Sequence, residues 1–202
     1  TLNSALGIFS PTGRWSTYNT PMDGDRKANF HDINFQDRPG SPELNCCSVN
    51  AARGLGLLSE WAVMTTPDGG LTLNWLAPAQ YNVSLPGDSR LTLRVLGEYP
   101  RSGQVEIRVE PAQAMDATLR LRIPHWSTNT KVTVNGESVE GARPGTYLDL
   151  KRTWNPGDVI NLELDLAIHL WAGEQESVGR VSVYRGPILL TYDPRFNPGL
   201  PA

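Results

Sequence analysis

Leu119-Arg120-Leu121-Arg122-Ile123 alternates apolar and cationic side chains at every step. On an extended backbone successive side chains leave opposite faces, so this stretch has one aliphatic face and one basic face. It predicts a strand with one face in a core and the other in water. The same period runs through Leu91, Leu93 and Val95, separated by Thr92 and Arg94, and through Val105, Ile107 and Val109, separated by Glu106 and Arg108. It returns in Ile160, Leu162, Leu164 and Leu166. Val132 and Val134 lead into Asn135-Gly136, the dipeptide favoured by two-residue hairpin turns. Val181 and Val183 begin a further strand, and Ile188 to Tyr192 another after Gly186-Pro187. Strands at this spacing, separated by turn signals, predict a mainly β fold: an antiparallel, jelly-roll-like β-sandwich over roughly residues 70–167.

Outward from the sandwich the texture changes. Residues 1–65 are loop-rich, punctuated by Gly13, Pro21, Gly24, Pro39, Gly40 and Pro42. They hold one helical candidate, from about Val49 to Met64, with Ala51, Leu55, Leu58 and Ala62 on one face and Ser48 as its N-cap. Gly54 and Gly56 weaken that helix in isolation. One helix and several loops do not bury a core. Residues 168–202 offer about two strands and a Pro-rich end, and a two-stranded element is marginal alone. The expected organisation is therefore 1–65, a sandwich over 66–167, and 168–202 as the start of another domain.

The chain has 202 residues and a formal net charge of −3. No Lys/Arg stripe with interleaved aromatics is visible, which speaks against a nucleic-acid partner. No apolar run approaches the ~20 residues that span a bilayer, so no membrane partner is expected. The chain starts at Thr1 and shows no signal peptide, so the compartment is not readable.

Its two cysteines, Cys46 and Cys47, are adjacent. Neighbouring Cα atoms lie ~3.8 Å apart, whereas ordinary disulfides span roughly 4.4–6.8 Å. Two thiols are the expectation. Just ahead of a helix, a thiol meets unpaired N–H groups and the positive end of the helix dipole, and loses its proton more readily. Two neighbouring thiolates repel, and a zinc ion would relieve that. The pair also reads as two small buried hydrophobes, or as a redox pair. A zinc site needs about four ligands; His31 and Glu43 are the nearest extras, without ligand spacing. Other side chains carry weaker signals. His125 reads as a surface turn, and His169 and Trp171 as packed in a strand. Trp15 and Tyr18 suit either sugar stacking or core packing. Glu43 and Glu60 do not form a convincing carboxylate pair.

Five stretches together resemble a known family. Asn45-Cys46-Cys47-Ser48-Val49-Asn50-Ala51-Ala52-Arg53 is similar to the Cys-Cys-Pro-Pro-Asn-x-x-Arg stretch of the β-L-arabinofuranosidase family, glycoside hydrolase family 127. Leu121-Arg122-Ile123-Pro124-His125-Trp126, Val134-Asn135-Gly136, Arg152-Thr153-Trp154-Asn155-Pro156-Gly157-Asp158, and Gly179-Arg180-Val181 with Arg185-Gly186-Pro187 resemble further motifs of that family in the same order. The resemblance implies an (α/α)6-barrel followed by β-sandwiches, with residues 1–65 a partial helical barrel remnant. It implies a retaining glycosidase of plant-type sugars with a zinc cofactor. Cys46 would be nucleophile and zinc ligand, and Cys47 a second ligand. In the family the general acid and the remaining zinc ligands lie upstream of the pair, and none is visible here; this chain alone is then expected to be inactive. Its partners would be a carbohydrate and the missing barrel. Ser48-Val49 replaces the family's Pro-Pro, which leaves the sugar open. The rival expectation is a non-catalytic accessory or carbohydrate-binding sandwich. The Arg, Thr and Glu residues on the outer strand faces favour a structural role.

Overall fold

The computed structural model describes residues 46–85 and 89–191, with backbone alone for residues 46–49 and 51. Trp15, Tyr18, His31 and Glu43 lie outside the described residues. The chain divides into two compact units, Thr1–Leu58 with Leu189–Ala202, and Ser59–Ile188.

Two short helices open the described part, α1 (Cys46–Gly56) and α2 (Leu58–Ala62). This corrects the expectation of one helix from Val49 to Met64. The helix begins earlier, so Ser48 is an interior residue of its first turn and not its cap. It stops at Gly56, where the Leu57 N–H donates to Arg53 O at 3.0 Å and closes the last turn. Glycine is a poor helix former, and two of them in three residues mark the break. Val63 and Met64 leave the helical pattern altogether, because Val63–Thr65 forms strand β1.

Thirteen strands follow: β1, β2 (Leu71–Leu73), β3 (Ala79–Ser84), β4 (Arg90–Gly97), β5 (Gln104–Pro111), β6 (Met115–Arg122), β7 (Lys131–Val134), β8 (Glu137–Val139), β9 (Tyr147–Trp154), β10 (Asp158–Glu163), β11 (Ile168–Ala172), β12 (Val181–Arg185) and β13 (Ile188–Leu190). They make a four-stranded sheet in the order β1-β2-β6-β9, a six-stranded sheet in the order β3-β4-β5-β10-β7-β8, and a three-stranded sheet β11-β12-β13. The mainly β, antiparallel expectation holds with one exception. β2 runs parallel to β6, Leu71 opposite Leu119 and Leu73 opposite Leu121.

The alternation seen in the sequence becomes the inner faces of the first two sheets. Leu71, Leu73, Leu119, Leu121, Leu148 and Leu150 from the four-stranded sheet form one buried cluster with residues of the six-stranded sheet, among them Leu93, Val95, Ile107, Val109, Val134, Ile160 and Leu162. Two apolar faces closed on each other are a sandwich. Trp154 is fully buried, and its Nε1 donates to Ala117 O at 3.2 Å.

The outer faces are charged and internally compensated. Arg94 lies directly opposite Arg108 across β4 and β5, a repulsive placement. Arg94 Nε is 2.9 Å from Glu110, and Arg108 Nε is 2.7 Å from Glu106, so each cation has its own carboxylate.

The three-stranded sheet is different. Ile168, Leu170 and Val181 alternate onto one face of β11 and β12 and are each more than half exposed. On the other face His169 stacks on Tyr184, ring centroids 5.4 Å apart. Trp171 is 57% exposed, so the expectation that it packs in its strand is not met.

Candidate functional site

Cys46 and Cys47 are the first two residues of α1, within the helix and not ahead of it. Their side chains lie outside the description. Of the other residues singled out, Glu60 is exposed on α2, His125 is exposed in the turn after β6, and His169 is engaged with Tyr184. These do not converge. Among the described residues no three His, Cys, Asp or Glu side chains form a group fit to hold a metal ion. A zinc centre at the cysteine pair does not fit these residues alone, because four ligands are needed and two are supplied.

The structure does bring together motif stretches that lie far apart in the sequence. The Asn135-Gly136 turn joins β7 to β8, with φ of 52° and 84°, both left-handed, as this turn type requires. Asn135 Nδ2 donates to Asp158 Oδ1 at 2.9 Å, and the Val159 N–H donates to Asn135 Oδ1 at 2.9 Å. Asp158 Oδ2 in turn accepts from the Asn155 N–H at 2.9 Å. The Val-Asn-Gly turn and the Trp-Asn-Pro-Gly-Asp turn are thus one hydrogen-bonded clasp. Asp158 is buried. Burial opposes its charge, yet the Asn155 N–H, the Asn135 amide and the nearby Arg152 outweigh that and hold its pKa below the ordinary carboxylate value.

The Ile-Pro-His-Trp and Arg-Gly-Pro stretches also lie close together. At Gly186, φ +53°, a Cβ would lie 2.4 Å from Leu166 Cδ2 and 3.4 Å from Trp126 Cζ3. The positive φ favours glycine here. Arg185 Nη1 donates to Arg101 O at 3.2 Å. A neighbouring network ties Asp165 to the turn after Trp126: its N–H donates to the buried Ser127 Oγ at 2.8 Å, and its carboxylate accepts from Thr128 and Asn129. The Ala167 N–H, then Asn129 and Thr128, hold the Asp165 pKa down.

A polar groove of about 650 Å³ runs over the outer face of β6 and β9, lined by residues such as Asp68, Asp116, Thr118, Lys151 and Thr153. Arg120, also on β6, pairs with the groove's Asp68. Its guanidinium grips both Asp68 oxygens at 3.0 and 2.6 Å, reaches Thr66 Oγ1 at 2.8 Å, and lies 3.2 Å from Asp149. The Arg120 hydrogen bonds, with that of Thr66, hold the Asp68 carboxyl well below the usual range. Thr153 Oγ1 donates to Asp116. Asp68 is thus paired with Arg120, and Asp116 with Thr153. Sequence reading missed this network; the alternation flagged Arg120 as outward-facing, but nothing local pointed to its partner Asp68, many residues upstream.

A profile described as the beta-L-arabinofuranosidase GH127 middle domain matches residues 70–166. A search of curated proteins finds no match. Among solved structures, a glycoside hydrolase superposes with a TM-score of 0.78 at 27% identity, over 93% of this chain and 32% of that one. A GH127 beta-L-arabinofuranosidase from Geobacillus stearothermophilus T6 gives 0.73 at 23% identity, over 91% and 30%. A GH127 beta-arabinofuranosidase gives 0.72 at 22%, over 91% and 30%. The chain spans about a third of the length of these structures. Residues 70–166, the sandwich, thus match the GH127 middle domain of the β-L-arabinofuranosidase family, the family whose motifs the sequence resembles.

Proposed function

We propose that this chain is the part of a retaining glycoside hydrolase that joins the end of a catalytic barrel to its supporting sandwich, and that the whole enzyme acts on β-L-arabinofuranosides or a related plant-glycan sugar. The observation that carries this reading is the family match over residues 70–166, directly downstream of a cysteine pair at a helix start. In this reading Cys46 is the nucleophile and a zinc ligand and Cys47 a second ligand. The metal's remaining ligands and the general acid come from outside the described residues. When bound, zinc would keep the thiols deprotonated at neutral pH. The sandwich contributes no reacting group. Its charged outer faces are paired within themselves, which suits a scaffold better than a carbohydrate-binding module with aromatic platforms.

The test is elemental zinc analysis of the chain beside Cys46→Ser and Cys47→Ser, with turnover of an aryl β-L-arabinofuranoside measured on each. Zinc near stoichiometry that is lost in both variants supports the cysteine centre. Absence of zinc from every sample, with no turnover, sinks the metal role for this chain and leaves the scaffold reading.

A further inference from the structure

We propose that Asn135-Gly136 is a latent deamidation site, held as the amide by the clasp to β10, and that its conversion would release the β7–β8 hairpin. Asn-Gly is the most labile asparagine context, because glycine puts no side chain in front of its own backbone nitrogen. Both residues are exposed. In the reaction the Gly136 backbone nitrogen attacks Asn135 Cγ, and the bond from Cγ to Nδ2 breaks. Ammonia leaves, taking up the proton lost from the Gly136 nitrogen, and a five-membered succinimide remains. Water then opens the ring at either carbonyl, giving an aspartate or an isoaspartate linkage at position 135.

The structure opposes the first step. Cγ must turn toward the Gly136 nitrogen, yet both heteroatoms on Cγ are held by β10: Nδ2 by the Asp158 carboxylate and Oδ1 by the Val159 N–H, each at 2.9 Å. The Asn135 N–H is fixed to the same strand, donating to Val159 O at 2.8 Å. Breaking one neutral and one charge-assisted hydrogen bond before attack slows the reaction on the order of fiftyfold. The product has no way back into the clasp. A carboxylate at position 135 has lost its donor to Asp158 and faces a second anion across that contact, and an isoaspartate adds a backbone carbon to a two-residue turn. This inference does not depend on the glycosidase reading.

The experiment incubates the whole chain at mildly alkaline pH and physiological temperature, folded and in urea, and follows position 135 by peptide mapping for the amide-to-acid mass change and for isoaspartate. Asp158→Ala and the isosteric Asp158→Asn run beside it, with circular dichroism to establish that each is folded. The expected result is a folded wild-type rate about fiftyfold below the urea rate, with folded variants regaining much of the difference. Equal rates in folded and urea-treated wild type overturn the proposal, even if neither variant folds. A folded variant that deamidates as slowly as folded wild type overturns the role of Asp158.

Discussion

Replacing Trp154 tests whether the two sheets share one core. Its indole is fully buried and forms part of the cluster that spans both sheets. A buried indole removes roughly 200 Å² from water, worth about 5 kcal/mol at 25 cal/mol per Å². Trp154→Ala should therefore cost about 4 kcal/mol, in line with large-to-small substitutions elsewhere. That is a large fraction of the ~5–15 kcal/mol that holds a domain folded. Trp154→Phe is the gentler probe. It loses part of the buried area and the donor to Ala117 O, together about 2 kcal/mol.

The assay is urea unfolding followed by far-ultraviolet circular dichroism, with Trp171→Ala as the control. Trp171 is 57% exposed and should change stability by no more than about 0.5 kcal/mol. For Trp154→Phe the midpoint should fall while the slope stays constant, and Tm should drop by roughly 6–10 °C. A Trp154→Phe effect below about 0.5 kcal/mol, or a Trp171→Ala effect as large as that of Trp154→Ala, would refute the reading of a single core shared by the two sheets.

Two further outcomes are expected. Gly103→Ala should cost more than Gly136→Ala in the same unfolding assay. At Gly103 a Cβ would sit 2.2 Å from Leu164 O and break into the Leu164 N–H bond to Gly103 O, whereas Gly136 has open space and only its positive φ to strain, about 1 kcal/mol. Acid should unfold the sandwich through its clasps. Asp68, Asp158 and Asp165 have folded pKa values below their unfolded ones, so their stabilisation is fully present above the unfolded value of about 3.9 and is lost as pH falls toward the folded values. A urea midpoint that stays level from neutral pH down through that range would contradict this; Asp158→Asn should flatten the fall.

Much of the sandwich was legible because one buried face per strand leaves a period of two in the sequence. β4, β5, β6, β7 and β10 all carry it. β9 was missed because Leu148 and Leu150 are followed by Lys151, Arg152 and Thr153, all exposed, before Trp154 returns to the core. That run reads as part of a turn, although its outward side chains line the polar groove. β3 was missed because its inward positions, Ala79, Tyr81 and Val83, are only half-buried. The parallel β2–β6 pair depends on a partner far along the chain and leaves no local trace. The helix was misjudged at both ends: the apolar spacing continues through Val63 and Met64, but pairing with β2 draws those residues into a strand. The cysteines were visible as chemistry. Their geometry was not, because ligands and acids are fixed by tertiary approach and not by neighbours in sequence.

Four of the five stretches that carry the family resemblance do scaffold work. Asn135-Gly136 meets Asp158, and Trp126 lies against Gly186. The first pair fastens one turn to another through a buried carboxylate; the second is a van der Waals contact at a glycine whose φ is positive. The match over residues 70–166 accordingly concerns a middle domain and locates no chemistry. The proposed catalytic role rests on the fifth stretch alone. Cys46 and Cys47 sit in α1, upstream of the matched domain, so the zinc measurement on the two serine variants addresses a different part of the molecule from every scaffold test above.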